Sequence, residues 1–203
     1  MVQNLARRIQ MVQEFIASQP GIIRTSAFRQ AGIGARDLVA LINTGRLIRL
    51  KTGFYIAAEQ LEHLSDYQVV VQLLPDATIC FISAAALYGL TTVIPDVIHI
   101  AVPNRGKKPQ APDYPPVDIV QHTKPLYECG RLKVRTDYGV LPMYDRERTV
   151  CDCLKRHDDL GMDVVAEIIR NYMRGPKNLQ KLYATAERLR IRKQLTPYVE
   201  VLL

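Results

Sequence analysis

The sequence IIRTSAFRQAGIGARDLVALINTGRLIRLKTGFYIAA, residues 22–58, decides the fold of the N-terminal part of the chain. Two short helical patterns lie on either side of Gly32, and two apolar strand patterns follow and meet at Thr52-Gly53. Glycine reaches positive φ without a Cβ penalty, so Gly32 and Gly34 permit a sharp turn between helices and Gly53 suits a tight hairpin. This order of elements predicts a helix-turn-helix followed by a β-wing.

A further helix is predicted before this stretch, from about Asn4, which can cap it, to Gln19. Its apolar residues recur at helical spacing: Leu5, Ile9, Val12 and Ile16. Pro20-Gly21 ends it. Thr25 or Ser26 can cap the second helix, which runs through residue 30, and the third helix runs from about residue 35 to residue 43 or 44, where Gly45 stops it.

The third helix has two distinct faces. Its apolar residues share the face that is expected to pack on the first two helices: Leu38, Leu41 and Ile42. The opposite face carries Arg36, Ala40 and Asn43. Arginine can bind guanine and asparagine can bind adenine in a bidentate way, while a small alanine lets the backbone come close to the bases. The alternative is an amphipathic helix whose polar face is only solvated.

The hairpin pattern from Leu47 to Ile56 places Ile48 and Leu50 on one face of its first strand and the basic Arg49 and Lys51 on the other. Such a hairpin can contact a phosphate backbone, which positions a protein on DNA without reading its sequence. The alternative is an ordinary hairpin with a solvated basic face. The expected DNA contacts are Ser26, Arg29, Arg36, Ala40, Asn43, Thr44, Arg46, Arg49, Lys51, Thr52 and Tyr55.

The distribution of charge supports the same interpretation. The net charge of the 203-residue chain is +7. Residues 1–58 hold eight basic and two acidic side chains, a balance of +6, and the other 145 residues hold nineteen basic and eighteen acidic ones, a balance of +1. The excess of positive charge therefore lies in the segment that is predicted to meet phosphates.

Residues 59–203 form the second predicted domain, after a polar boundary at residues 57–65. Apolar runs predict strands at 77–82, 97–102, 117–121 and 132–135, with a turn and short strand at 139–142. Helices are predicted at 66–74, 83–88 with Ser83 as the cap, 145–155, 163–173 and 178–190, and a last one is capped by Thr196-Pro197. The whole chain is therefore expected to be α+β, a winged helix-turn-helix followed by a larger mixed α+β domain.

A proline-rich basic segment, residues 104–116, is expected to be an exposed and mobile loop, because its four prolines cannot join a sheet interior. It is either a solvated loop or an extra contact to nucleic acid or a partner. The basic tail offers the same pair of alternatives. The residues of this second candidate surface are Arg105, Lys107, Lys108, Arg188, Arg190, Arg192 and Lys193.

The sequence carries no motif of a known catalytic or cofactor site. It has no phosphate-binding loop and no complete dinucleotide fingerprint, and its four histidines lack partners at metal-ligand spacing. The four cysteines are expected to be small buried residues of a reducing compartment. No apolar run approaches the ~20 residues that span a bilayer. We therefore expect no enzyme activity, cofactor, metal site or membrane contact, and a cytoplasmic protein.

Three segments of the second domain resemble the C-terminal domain of the AbiEi antitoxins: Phe81–Pro95 followed by Ile98–Pro103, Tyr144–Leu154, and the tail from Asn178. The N-terminal segment resembles the winged helix of the same family. The resemblance implies a transcriptional repressor of a type IV abortive-infection toxin–antitoxin operon, which binds repeats in its own double-stranded promoter DNA. It also implies that the chain counteracts a nucleotidyltransferase-like AbiEii toxin without a stable complex.

Three other functions remain open on the sequence alone. The winged helix could serve as an RNA-binding or protein-interaction module, since a fold does not fix a function. The chain could also be a stand-alone regulator with no toxin beside it. A small nuclease or transferase would need a spatially assembled site and activity that is lost on a change such as Asp145→Ala.

Overall fold

A computed structural model describes residues 2–202, without the side chains of residues 2–7 and Ile9. The predicted Asn4 cap and the Leu5 and Ile9 packing positions lie outside these described residues. The chain divides into two compact units. Unit 1 is Met1–Leu73 with Ala111–Pro115, and unit 2 is Leu74–Gln110 with Pro116–Leu203. The predicted domain boundary after residue 58 thus lies inside unit 1.

Unit 1 has the order of elements that the sequence predicts. Its helices are α1 (Val2–Ser18), α2 (Thr25–Gln30), α3 (Ala35–Asn43), α4 (Ala58–Leu61) and α5 (Asp66–Leu73). Its strands are β1 (Ile23–Arg24), β2 (Leu47–Lys51) and β3 (Phe54–Ala57), in the antiparallel sheet order β1-β3-β2. The prediction of a winged helix-turn-helix is confirmed. Two short elements were not predicted: strand β1, which has only two residues, and helix α4, which lies in the segment expected to be a polar boundary.

Phe28 is the centre of the unit 1 core. Its ring is fully buried and packs against Phe15 at 5.4 Å and against Tyr55 at 5.7 Å between centroids. Leu38 and Leu41 of α3 are buried in the same cluster, and Ile42 packs at its edge. The apolar stripe of α3 therefore faces inward as predicted, and this fixes which face of α3 remains outside.

The β2–β3 hairpin departs from simple alternation. The pairing register shifts between Arg49 and Lys51, so Leu50 has no partner residue on β3. Leu47 and Leu50 are the buried side chains of β2, whereas Ile48 is partly exposed. The expectation that Ile48 and Leu50 share one face was wrong, because a β-bulge inserts one residue and breaks the two-residue period.

Unit 2 is built on a mixed five-stranded sheet in the order β6-β5-β4-β8-β7. Its strands are β4 (Thr78–Ile79), β5 (Ile98–Pro103), β6 (Val117–His122), β7 (Arg131–Thr136) and β8 (Gly139–Tyr144). Its helices are α6 (Phe81–Leu87), α7 (Lys124–Glu128), α8 (Arg146–Lys155), α9 (His157–Leu160), α10 (Met162–Arg174), α11 (Leu179–Arg188) and α12 (Arg192–Val201). The α+β class is confirmed.

Two helix starts in unit 2 differ from the prediction. Helix α6 begins at Phe81, and Ser83 is a buried residue inside it whose hydroxyl accepts a hydrogen bond from the His99 backbone N–H at 2.9 Å. Helix α12 begins at Arg192 and continues through Pro197. Thr196 is therefore not a cap, and its hydroxyl donates to the Arg192 carbonyl at 2.9 Å. Serine and threonine hydroxyls form hydrogen bonds with nearby backbone groups inside helices as well as at helix ends. The sequence alone therefore did not show that Ser83 and Thr196 lie inside their helices.

The predicted cap of α2 was also wrong: Thr25 and Ser26 lie inside the helix, the residue before it is Arg24, and no side chain caps it. Acidic and amide side chains do cap two helices of unit 2. The Asp145 side chain accepts a hydrogen bond from the Arg148 N–H at the start of α8, and Asn178 accepts one from the Lys181 N–H at the start of α11. All four cysteines are free thiols, and Cys129 is partly exposed, so the expected burial is confirmed only for Cys80, Cys151 and Cys153. Burial raises the pKa of each of these three thiols.

The proline-rich segment is only partly an exposed loop. Residues 104–108 are mostly exposed, but Ala111–Pro115 belongs to unit 1, and Pro112 and Pro115 are buried. The backbone N–H groups of Asp113 and Tyr114 donate to the Leu50 carbonyl at 2.7 and 3.2 Å. The bulge leaves this carbonyl available, so part of the segment that was expected to be mobile is docked on β2.

Candidate nucleic-acid interface

Helix α3 presents a polar face that the rest of unit 1 leaves open. Arg36, Ala40 and Asn43 are exposed, on the side opposite the buried Leu38 and Leu41. Gly32, with φ of +73°, makes the turn before the helix. All three residues predicted to contact bases are therefore exposed on the third helix.

The start of α3 is held by an ion pair with α1. Asp37 accepts a hydrogen bond from the Gly34 N–H at 2.9 Å, which caps the helix. Arg8 donates to both Asp37 oxygens, at 3.0 and 2.8 Å. The hydrogen bond from Arg8 holds the pKa of Asp37 below its usual value, and the Gly34 N–H lowers it further. The only acidic residue of α3 is thus neutralised and does not repel a phosphate.

Three arginines around α3 are exposed and uncommitted. Arg29 lies in the last turn of α2, Arg36 in the first turn of α3 and Arg46 just before β2. Among the side chains that the structure describes, none forms a hydrogen bond or ion pair with these three guanidinium groups. Ser26, in the first turn of α2, is also exposed. These residues can donate to phosphate oxygens without first breaking an internal contact.

Three of the predicted contacts lie toward α1 and not at the centre of the outer face. Ala40, Thr44 and Arg46 line a groove of about 330 Å³ between α1 and α3, together with Val12 and Leu41. The Thr44 hydroxyl donates back to the Ala40 carbonyl at 2.9 Å. Arg36 and Asn43 are therefore the side chains of α3 best placed to reach base edges.

The hairpin offers less positive charge than the sequence suggests. Lys51 donates to the Leu73 carbonyl at 3.2 Å, and its ammonium lies 4.7 Å from the centre of the Phe54 ring. Burial lowers the pKa of Lys51, and the neighbouring Arg24 lowers it further. Thr52 is exposed at the tip. The ring of Tyr55 packs on Phe28 and belongs to the edge of the core.

Arg49 is exposed but paired. Its Nε donates to Asp113 Oδ2 at 3.0 Å, and 55% of the Arg49 side chain and 43% of the Asp113 side chain remain accessible to solvent. The pair joins residues 64 positions apart, which no local sequence pattern indicates. Of the hairpin cations in the predicted site, Arg49 can turn outward and Lys51 is committed to the fold.

Two further residues of this surface were missed by the sequence analysis. Val39 is 55% exposed on α3, next to the predicted contacts. An exposed valine on a helix that reads DNA can contact the methyl group of thymine. Arg24, at the start of α2, is exposed and its guanidinium lies 5.4 Å from the Phe54 ring centre. The sequence did offer one indication of Val39, since an apolar residue away from the buried face of a helix can mark a contact surface.

The second candidate surface, in unit 2, contains both paired and unpaired cations. Arg105 forms an ion pair with Asp76 at 2.8 Å, and Arg192 one with Glu187 at 3.3 Å. The remaining residues of this set are exposed: Lys107, Lys108, Arg188, Arg190 and Lys193. Exposure alone does not distinguish a binding surface from a solvated one, so the role of these residues stays a prediction.

The described residues contain no cluster of three or more histidine, cysteine, aspartate or glutamate side chains that could hold a metal ion. Over the same part of the chain, no helix combines the length and the apolar character needed to span a bilayer.

Residues 10–58 match the model of a protein family described as transcriptional regulator, AbiEi antitoxin. This segment is similar to the AbiEi regulators, and we call residues 10–58 the AbiEi region. The AbiEi region runs from α1 to the start of α4 and contains the whole primary set of predicted DNA contacts. The sequence resemblance to AbiEi antitoxins is thereby confirmed for this segment. The resemblance of residues 81–203 to the AbiEi C-terminal domain lies outside the match and stays a prediction.

Beyond the AbiEi region, the fold as a whole has a counterpart in a solved structure. The chain is similar to the RV2827C protein from Mycobacterium tuberculosis, known from a crystal structure, with a TM-score of 0.61 at 15% sequence identity. The match covers 87% of this chain and 69% of that one. At this identity the likeness concerns the fold alone. None of the curated proteins compared with the chain matches it in sequence.

Proposed function

We propose that the protein is an antitoxin and transcriptional repressor that binds double-stranded DNA in its own promoter through unit 1. The observation that carries this proposal is the exposed face of α3, with Arg36 and Asn43 outermost and the unpaired Arg29 and Arg46 beside it. This face lies inside the AbiEi region. Binding there would block transcription of the operon that encodes the protein, so the protein would regulate its own synthesis in the cytoplasm.

The chemistry of the face suits the major groove. Arg36 can donate two hydrogen bonds to the O6 and N7 of guanine, and Asn43 can bond the N6 and N7 of adenine. Arg29, Arg46 and the Thr52 tip can contact phosphates, which fix the register of α3 in the groove. Arg49 can join them once its pair with Asp113 opens.

The antitoxin part of the proposal rests on the family. We infer that the chain counteracts a nucleotidyltransferase-like AbiEii toxin encoded beside it, without forming a stable complex and without catalysis of its own. No residue of unit 2 is assigned to this role, and the exposed cations of the second candidate surface stay a predicted contact to nucleic acid or to a partner. A neighbouring toxin gene that is lethal alone and harmless with this chain present would support the inference. If the chain does not protect cells from the toxin, the protein would be a stand-alone regulator.

Fluorescence anisotropy with a labelled duplex of the promoter tests DNA binding. We expect Arg36→Ala and Asn43→Ala each to weaken binding by about 1–3 kcal/mol and to relax base preference at one position. Arg174→Ala is the matched control, because Arg174 is an exposed arginine of unit 2 outside both candidate surfaces. It should leave affinity unchanged.

Two results would contradict this assignment. In the first, Arg36→Ala and Asn43→Ala bind the promoter as tightly as the unaltered protein does, so α3 does not read the operator. In the second, a structured RNA competes better than the promoter duplex at matched salt. That outcome favours the RNA-binding module, since a repressor requires a clear preference for duplex DNA.

A further inference from the structure

Segment Ala111–Pro115 is fastened to the β2–β3 hairpin by its backbone. Asp113 N–H and Tyr114 N–H both donate to the Leu50 carbonyl, at 2.7 and 3.2 Å. The Tyr114 hydroxyl donates to Asp66 Oδ1 at 2.6 Å, and Pro112 and Pro115 are buried. None of these contacts uses the carboxylate of Asp113. The position of the segment is therefore set independently of that charge.

The Asp113 carboxylate is placed against the hairpin cation that could otherwise meet DNA. Its Oδ2 accepts from Arg49 Nε at 3.0 Å, and both side chains are about half exposed. A carboxylate oxygen and a phosphate oxygen are equivalent acceptors for a guanidinium group. Because Lys51 is bound to the Leu73 carbonyl, Arg49 is the basic side chain of the hairpin whose partner can be exchanged for a phosphate.

We propose that Asp113 is an internal competitor for the DNA phosphate at Arg49, and that it sets the affinity of the hairpin for duplex DNA. This inference rests on the proposed DNA-binding function. With Asp113 ionised, Arg49 must leave its partner before it can contact a phosphate, and the carboxylate then stands near the phosphate and repels it. The contact thus lowers binding to all sequences equally, because phosphate contacts carry no sequence information.

The expected change in affinity for duplex DNA follows from the strength of the Arg49–Asp113 ion pair. An exposed pair of this kind is weak, so it opens readily and restrains Arg49 only partly. Removing the charge of Asp113 should raise duplex affinity about three- to tenfold at low salt, from the release of Arg49 and the loss of one repelling charge. One additional phosphate contact should also steepen the slope of log K against log salt by about 0.9.

The experiment compares four full-length proteins on a duplex of unrelated sequence across a salt series: the unaltered chain, Asp113→Asn, Arg49→Ala and the double variant. Asparagine keeps the size of the side chain, and thermal unfolding checks that the fold is kept. Glu62→Gln is the matched control, since it removes one exposed negative charge from unit 1 at a residue outside the hairpin. We expect Asp113→Asn to bind more tightly and with a steeper slope, and Glu62→Gln to do neither.

The double variant separates this mechanism from a general effect of charge. If Asp113→Asn acts by releasing Arg49, its steeper slope and most of its gain disappear when Arg49 is alanine. A gain of equal size in the Arg49→Ala background overturns the inference, and so does a gain matched by Glu62→Gln. Should the unaltered chain bind no duplex at all, the proposed function fails and this inference fails with it. Duplex binding that Asp113→Asn leaves unchanged refutes the inference alone.

Discussion

Replacing Arg148 by methionine should destabilise unit 2 strongly, because this arginine is completely buried in helix α8. Its Nε donates to both carboxylate oxygens of Asp152, at 2.9 and 3.0 Å. Its Nη1 donates to the Leu126 and Cys129 carbonyls, at 2.8 and 3.2 Å. The guanidinium also lies 4.5 Å from the centre of the Tyr144 ring. One side chain thus joins α8 to the segment around α7 and to strand β8.

The magnitude follows from what the substitution leaves behind. Arg148→Met removes the partner of a buried carboxylate, and breaking one side of a buried ion pair costs about 3–5 kcal/mol. Burial already raises the pKa of Asp152, against the attraction of Arg148. Without the arginine this pKa should rise further, so Asp152 would take up a proton on mild acidification. A loss of this size is a large fraction of the 5–15 kcal/mol that stabilises a typical domain.

Urea unfolding followed by far-ultraviolet circular dichroism measures the loss. Arg148→Met should lower the free energy of unfolding by about 3–5 kcal/mol at pH 7.5, and by less at pH 5, because the raised pKa of Asp152 favours its neutral form as the pH falls. The double variant Arg148→Met/Asp152→Leu should recover part of the loss, because no unpaired charge remains. A loss below about 1 kcal/mol, or a double variant no more stable than the single one, would refute this account of the pair.

The remaining predictions concern His122 and two glycines of unit 2. Burial, Arg148 and Lys155 lower the pKa of His122 to about 4, so the unfolded chain binds its proton at a higher pH than the folded one. The free energy of unfolding should therefore fall as the pH drops from about 6.5 toward 4, by roughly 1–2 kcal/mol when the partial exposure of the ring is allowed for. His122→Gln should remove this contribution, so the urea midpoint should depend less on pH. Gly130→Ala should cost about 2–4 kcal/mol, because φ is +77° and the added Cβ would lie 2.8 Å from Arg148 Cβ and from Asp145 Oδ2. Gly89→Ala, with φ of +64° and open space around the added atom, should cost only about 1 kcal/mol in the same urea assay.

Local patterns were sufficient to place the first three helices of unit 1, but not the short α4. Helix α3 spans Ala35–Asn43, as predicted from its apolar spacing and the glycines that flank it. Its outer face could be predicted as well, because three inward residues on a period of 3.6 determine which residues point away. Arg36 and Asn43 were predicted in this way to lie on the outer face, and both are exposed, while their contact with DNA stays a prediction.

The side-chain directions and the partners of the hairpin residues could not be predicted from the sequence, for a physical reason. The inward and outward faces of a strand follow a period of two only while the pairing is regular, and the bulge at Leu50 breaks it. The partners of Arg49 and Lys51 then come from Asp113 and Leu73, far away along the chain. No pattern within the hairpin indicates them. Composition showed that residues 104–116 are proline-rich and basic, but not that their last part returns to unit 1.

Internal contacts reduce the number of basic side chains in the N-terminal segment that are available to bind phosphates. Arg8 is bound to Asp37, Arg49 to Asp113 and Lys51 to a carbonyl, while Arg29, Arg36 and Arg46 are left unpaired among the described side chains. Each phosphate that is neutralised contributes about −0.9 to the salt slope, so these three arginines together with the exposed Arg24, which lies against the Phe54 ring, give a slope of about −3 to −4 for one molecule. The electrostatic attraction to duplex DNA of any sequence is therefore modest. Under the proposed function, most of the preference for the operator must come from the bases that Arg36 and Asn43 reach.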